Sequence, residues 1–226
     1  MPTLKDSPRL DSAGRANAGS QKQIQMYVNE RPQALGAAVG ESLLWYGLEV
    51  KDIQWVSPLA EESYLQYRDS EFLQRVGLGS LAPELRDYWP HGGPCWDALA
   101  RIEGGCILIE AKSHVAEIYG GGCKASSPES LGKIQEALEE TKSWLGVSSN
   151  VDWMGRLYQS ANRYASLYFL REIAGVRAFL MNVYFLDDPI RRTSRKEWDE
   201  AIESTHRELG IKKEVPYSAT CFLNAE

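Results

Sequence analysis

Two short stretches near the middle of the chain, PCWDAL (94–99) and CILIEAKSH (106–114), constrain the fold more than any other part of it. Both have the apolar content of a strand, and the link between them, Arg101-Ile102-Glu103-Gly104-Gly105, carries a glycine pair suited to the positive backbone angles of a tight turn. The spacing therefore predicts a β-hairpin. Neighbouring strand residues point to opposite sides, so Glu110, Lys112 and His114 share one face while Ile107, Ile109 and Ala111 take the other. The turn brings Asp97 back alongside Glu110. Two carboxylates and an ammonium then converge at one end of a sheet.

A chain of 226 residues is long enough to bury one sizeable core. Its 43% apolar content and seven tryptophans exclude a disordered or collagen-like protein. Residues 1–20 are rich in Ser, Gly, Ala, Asp and Arg without periodicity and are expected to form a flexible arm, leaving 21–226 as a single α/β domain. The formal charge of −6 provides no field for wholesale contact with a phosphate backbone, so any nucleic-acid contact has to come from a local patch. Cys95, Cys106, Cys123 and Cys221 have neither metal-ligand nor redox spacing and read as reduced thiols. The first ten residues lack the apolar centre of a signal peptide, and the longest apolar region, 167–186, is interrupted by Arg171, Glu172 and Arg177. A cytoplasmic protein with no membrane partner is the expectation, with self-association left open.

Along the chain, Ile24, Met26 and Val28 alternate with polar residues and suggest a short strand. A helix is predicted over 31–46, capped by Asn29, with Pro32 in its first turn, a stripe of Leu35, Val39, Leu43 and Tyr46, and a stop at Gly47. Glu41 falls on the flank of that stripe, where a carboxylate can reach a cleft. A strand over 53–56 is followed by an insertion at 57–94, read as a surface-polar helix (59–76) and a Pro- and Gly-punctuated loop. The Gly-rich stretch 119–127 reads as mobile and lacks the order of a phosphate-binding loop. Helices are predicted over 128–145, capped by Ser127, and over 153–174, capped by Asp152. On the second, Arg156, Gln159 and Arg163 project together, opposite the apolar stripe. The run 176–186 has the continuous apolar character of a strand buried on both faces, followed by a helix over 194–209 and an edge strand near 217–223.

Two carboxylates about 4 to 6 Å apart repel each other, and a hard divalent cation relieves that repulsion by taking their oxygens as ligands. Mg²⁺ or Mn²⁺ needs only one or two protein carboxylates beside water and phosphate oxygens, so Asp97 and Glu110 suffice, and Glu41 can complete the shell or hold a second ion. Lys112 can orient water or steady charge building on a phosphate. His114 is a candidate substrate contact, or a general base, a role that imidazoles serve near neutrality. Arg156 and Arg163, with Lys124 and Lys133, are the candidates for the local basic patch that a phosphate substrate requires.

An acid-bearing helix (Glu41), a strand, a strand led by Asp97, a strand ending Glu110-Ala111-Lys112, then a helix and another strand resembles the PD-(D/E)XK nuclease superfamily over about residues 30–186. The resemblance implies a restriction-endonuclease-like α-β-β-β-α-β core with a mixed central sheet flanked by helices. It also implies a metal-dependent nuclease, DNA the favoured substrate, with Asp97 and Glu110 as metal ligands, Lys112 as the catalytic lysine and Glu41 as the first-helix acid. The face with Gln159 and Arg163 takes the place of a substrate-touching polar motif. Two residues, Cys95 and Trp96, separate Pro94 from Asp97, and Gln159 is followed four residues on by Arg163 where some members carry tyrosine. Two alternatives stand beside this one: a catalytically inactive binding module of the same fold in a defence or repair assembly, and an enzyme acting on a small phosphorylated substrate.

Overall fold

The computed structural model describes residues 10–45 and 47–226. Residues 1–9 of the expected arm and Tyr46 of the expected helix lie outside the described residues. The fold is α/β: a five-stranded open sheet in the order β1 (Gln54–Ser57), β2 (Ala98–Ile102), β3 (Gly105–Lys112), β4 (Arg177–Leu186) and β5 (Ser218–Asn224), with helices on both faces. The first three strands form an antiparallel meander, and β4 and β5 run parallel to β3.

The hairpin closes through Glu103-Gly104, and Gly104 takes the positive φ of +69° that glycine tolerates without strain. Gly105 has a different task. It opens β3 directly against β4, where a methyl group would stand 1.8 Å from the Arg177 carbonyl oxygen. The parallel register pairs Glu110 with Asn182 and Lys112 with Tyr184. β4 lies between β3 and β5, and its apolar side chains alternate between two cores, as its continuous apolar run requires.

One core lies under α1 (Gly19–Glu30) and α2 (Pro32–Trp45), which cover Ile107, Ile109 and Ala111 of β3 together with Phe179, Met181, Val183 and Phe185 of β4. The opposite core joins Leu108, Leu180 and Trp96 to α3 (Asp69–Arg75), α5 (Pro128–Leu145), α6 (Tyr158–Tyr168) and α7 (Arg195–Glu208). Trp153 and Trp198 are fully buried there, and their indole N–H groups donate to the carbonyls of Leu209 (2.9 Å) and Phe185 (3.0 Å). Burying side chains of this size stabilises the fold by about 2–3 kcal/mol each. No described helix is long and apolar enough to cross a membrane.

Several local expectations are corrected. Residues 24–28 are helical, because Ile24, Tyr27 and Val28 repeat at i, i+3 and i+4 and bury against the sheet. Alternation over five residues cannot be told from that pattern. Within the expected arm, Asp11 accepts backbone hydrogen bonds from Ala13 and Arg15, and Gln25 bonds to Ala16 and Gly14. Asn29 does not cap α2. It lies in the last turn of α1 and spends its amide on Pro58 (2.8 Å) and Ala60 (2.7 Å).

Only Asp69–Arg75 of the predicted 59–76 segment is α-helical, and the expected loop 77–94 holds a further helix, α4 (Ala82–Tyr88). Phe72, Leu73 and Trp89 sink the insertion into the core, so it is not a surface appendage. Asp152 supports a turn through Met154 and Gly155, delaying α6 to Tyr158, and a π-helical turn, Phe169–Ile173, closes it. The Gly-rich stretch is tied down by two backbone hydrogen bonds, Gly120 to Arg156 (2.8 Å) and Cys123 to Met154 (2.9 Å). The helix over 128–145 carries its expected Ser127 N-cap, and the last helix starts from a reciprocal Ser194–Glu197 capping box that the sequence reading did not name.

Gly105→Ala is expected to cost at least about 3 kcal/mol, since either β3 or β4 has to move to admit the methyl. Urea denaturation reads the loss; an unchanged midpoint would mean the two backbones do not approach this closely.

Candidate active site

The site begins where β2 begins. Asp97 immediately precedes the strand, and its backbone N–H donates to Ile109 at 3.2 Å, continuing the register that pairs Ala98 with Ile109. Asp97 therefore stands opposite Glu110, on the face that also carries Leu99 and Leu108. Past the end of β2 the Ala111 N–H has no strand partner, and Asp97 Oδ2 accepts it at 2.8 Å. Oδ1 accepts from Gln66 Nε2 at 3.1 Å, so the insertion supplies one of the groups that fix this carboxylate.

Glu110 and Lys112 follow on β3 and are 6% and 9% exposed. Each Glu110 oxygen has its own cation: Lys112 Nζ donates to Oε1, and Arg163 Nε donates to Oε2 at 2.5 Å. Lys112 also reaches Gln159 Oε1 at 3.3 Å. The Arg163 guanidinium makes two further bonds, to the Cys95 carbonyl (2.9 Å) and the Asn162 side chain (3.0 Å), and lies 5.0 Å from the centre of the Trp96 ring. Beside this network is a polar cavity of about 30 Å³, lined in part by Glu110, Lys112, Asn182, Tyr184 and His206, with room for one or two waters.

Electrostatics separate the two acids. Burial would raise the Glu110 carboxyl, but the charges of Arg163 and Lys112 and their hydrogen bonds outweigh it and hold the group below the ordinary value. Asp97 has no such pair. Burial first, and the Glu110 charge second, push it from 3.8 up to about 6, against the weaker pull of Lys112, the Ala111 N–H and Arg163. At the rim, burial also raises the Cys95 thiol, opposed chiefly by the exposed Arg68.

Of the residues singled out in the sequence, the structure brings together Asp97, Glu110, Lys112, Gln159 and Arg163. Arg163 is 5% exposed and turned onto Glu110, not projecting from the helix surface. Arg156 precedes α6, so it shares no helical face with the other two; it stacks on Tyr119 and pairs with Glu208. Glu41 is exposed on α2, and α2 packs on the sheet face opposite Glu110 and Lys112. His114 lies past the end of β3, leading into a 3-10 turn, with Nε2 3.6 Å from Glu117. Neither Glu41 nor His114 joins the network. Gln66, Trp96, Asn162 and the Cys95 carbonyl were not anticipated. The inward turn of Arg163 did leave a trace: it heads a helical row that continues into the buried Leu167 and Leu170.

The donors suit a hard cation in kind, because two carboxylates beside water and substrate oxygens are a shell Mg²⁺ accepts. Among the described residues there is no group of three or more His, Cys, Asp or Glu placed to hold a metal. Both Glu110 oxygens already accept from cations, so a metal ligand role for Glu110 requires Arg163 or Lys112 to yield one. Compared with protein-family models, with curated proteins and with solved structures, the chain matches none.

Between its ordinary value near 4 and about 6, the folded protein keeps on Asp97 a proton that the unfolded chain gives up, so stability falls as pH rises through that window. The loss is expected to be roughly 2 kcal/mol after allowance for partial exposure. Asp97→Asn should flatten this part of the curve in urea titrations at pH 4, 5 and 6.5; an equal slope in the variant would show that Asp97 is not its source. Glu110→Ala leaves two buried cations without their acid and should destabilise by about 3–5 kcal/mol in the same assay.

Proposed function

We propose that the protein is a divalent-metal-dependent phosphodiesterase acting on nucleic acid, DNA the favoured substrate, built on a restriction-endonuclease-like core. One observation carries it: two acids from adjacent strands face each other at a sheet end, with a lysine two residues further along the same face. A solvated strand face would not bury Glu110 and Lys112 and half-bury Asp97 beside them. The element order gives further support, since α2, the β1–β3 meander, the α5–α6 connection and a parallel β4 follow the α-β-β-β-α-β sequence of the resembled superfamily.

Asp97 and Glu110 are the residues that would hold Mg²⁺ or Mn²⁺, which when bound lowers the pKa of water and offsets charge growing on a phosphate. The chain's own residues do the positioning. Gln66 and the Ala111 N–H fix the Asp97 carboxylate. Lys112, held by Glu110 and Gln159 on the wall of the cavity beside Glu110, is the group that would orient an attacking water or stabilise the oxygens of the phosphoryl group. Exposed Arg68 offers a guanidinium at the rim for a neighbouring phosphate.

A second reading, a catalytically inactive nucleic-acid-binding module, is favoured by the double pairing of Glu110, which neutralises the acid without metal. Incubation with mixed DNA and RNA substrates, with and without Mn²⁺, separates the two. Cleavage that requires Mn²⁺ and falls at least about 10²-fold in Asp97→Ala and in Lys112→Met is the expected result. Binding without cleavage under every condition would favour the module. Methionine is the useful replacement because Lys112 is buried, and its stem has to be kept for the fold to survive.

A further inference from the structure

Resting on the phosphodiesterase reading, we propose that Arg163 couples cation binding to substrate binding: in the substrate-free protein its guanidinium holds the cation's place on Glu110, and it exchanges that carboxylate for a phosphate oxygen of the bound strand.

The charges in the site balance as they stand. Asp97 and Glu110 bring two negative charges, Lys112 and Arg163 two positive ones. Adding a divalent ion with Arg163 still on Glu110 would leave an excess of two positive charges in a place that water barely reaches, and the low local dielectric makes that costly. Arg163 also takes the contacts a cation would take, a carboxylate oxygen at 2.5 Å and a backbone carbonyl at 2.9 Å. A phosphodiester changes this balance because it brings a negative charge and an acceptor whose geometry matches the guanidinium fork.

Arg163 is equipped for the exchange. Of its five N–H donors, three are engaged, with Glu110, Asn162 and Cys95, and the remaining N–H groups can take a phosphate oxygen before the Glu110 bond breaks. The flat Trp96 ring beneath it gives the guanidinium a surface over which to shift without losing its stacking partner. Lys112 keeps Oε1 of Glu110 engaged meanwhile, so the carboxylate is never left bare. Each ligand therefore removes the obstacle to the other, and by linkage the factor by which phosphate tightens metal binding equals the factor by which metal tightens phosphate binding.

The test is a calorimetric titration of the full chain with Mn²⁺, in the presence and absence of a saturating phosphorothioate oligodeoxynucleotide, on the unaltered protein and on Arg163→Met, which keeps the stem over Trp96. In the unaltered protein the oligonucleotide should tighten Mn²⁺ binding at least about tenfold, and Mn²⁺ should tighten oligonucleotide binding by the same factor. Arg163→Met should bind Mn²⁺ alone at least about tenfold more tightly than the unaltered protein, with the coupling reduced to less than about threefold. Mn²⁺ binding that depends on Asp97 and Glu110 but ignores the oligonucleotide would overturn the exchange and leave the phosphodiesterase standing. Absence of Mn²⁺ binding under every condition would overturn both. The measurement on the unaltered protein decides the matter even if the variant does not fold.

Discussion

A carboxylate taken almost wholly out of water has to be neutralised or protonated, and Glu110 is neutralised twice. That requirement organises one half of the molecule. It draws the Lys112 ammonium back along its own strand and turns α6 so that a guanidinium, not an apolar side chain, meets the sheet. It also sets the path of the chain into β2, because the Cys95 carbonyl and the Trp96 ring complete the shell around Arg163. The two arms of the hairpin and a helix 53 residues further on thus meet over one charge.

The neighbouring acid is treated in the opposite way. Asp97 receives an N–H from β3 and an amide from the insertion but no dedicated cation, and it is held near a pKa of about 6. Two carboxylates side by side with such different surroundings are unequal in their readiness to accept a new positive charge. Glu110 is satisfied and Asp97 is not. The raised pKa of Asp97 opposes the folded state as pH rises, whereas the double pairing of Glu110 favours it.

Much of the framework was legible in the sequence because it depends on short-range rules. Gly104 closed the hairpin, alternation put Glu110 and Lys112 on one face, and Ser127 marked a helix start through a bond to the residue three positions on. Where local patterns were ambiguous they misled. Ile24 to Val28 fits two periodicities, and only burial of Ile24, Tyr27 and Val28 against β3 and its neighbours selects the helix. The insertion looked surface-polar because of its several acidic residues, such as Glu61, Glu62, Asp69 and Glu71; each of Phe72, Leu73 and Trp89 nevertheless finds the core. Glu41 satisfied every local criterion for a cleft acid, yet the docking of α2 on the far face of the sheet separates it from Glu110.

By itself the sequence determined that a hairpin with Asp97, Glu110 and Lys112 on one side would form, since turn preference and strand alternation act within a few residues. Only the tertiary structure decided which charges those groups would meet. Arg163 lies 53 residues from Glu110 and Gln66 lies 31 from Asp97, and such pairings are set by how α6 and the insertion pack on the sheet. Electrostatic environment depends on distance in space and on exclusion of water, and neither is a property of neighbours along a chain.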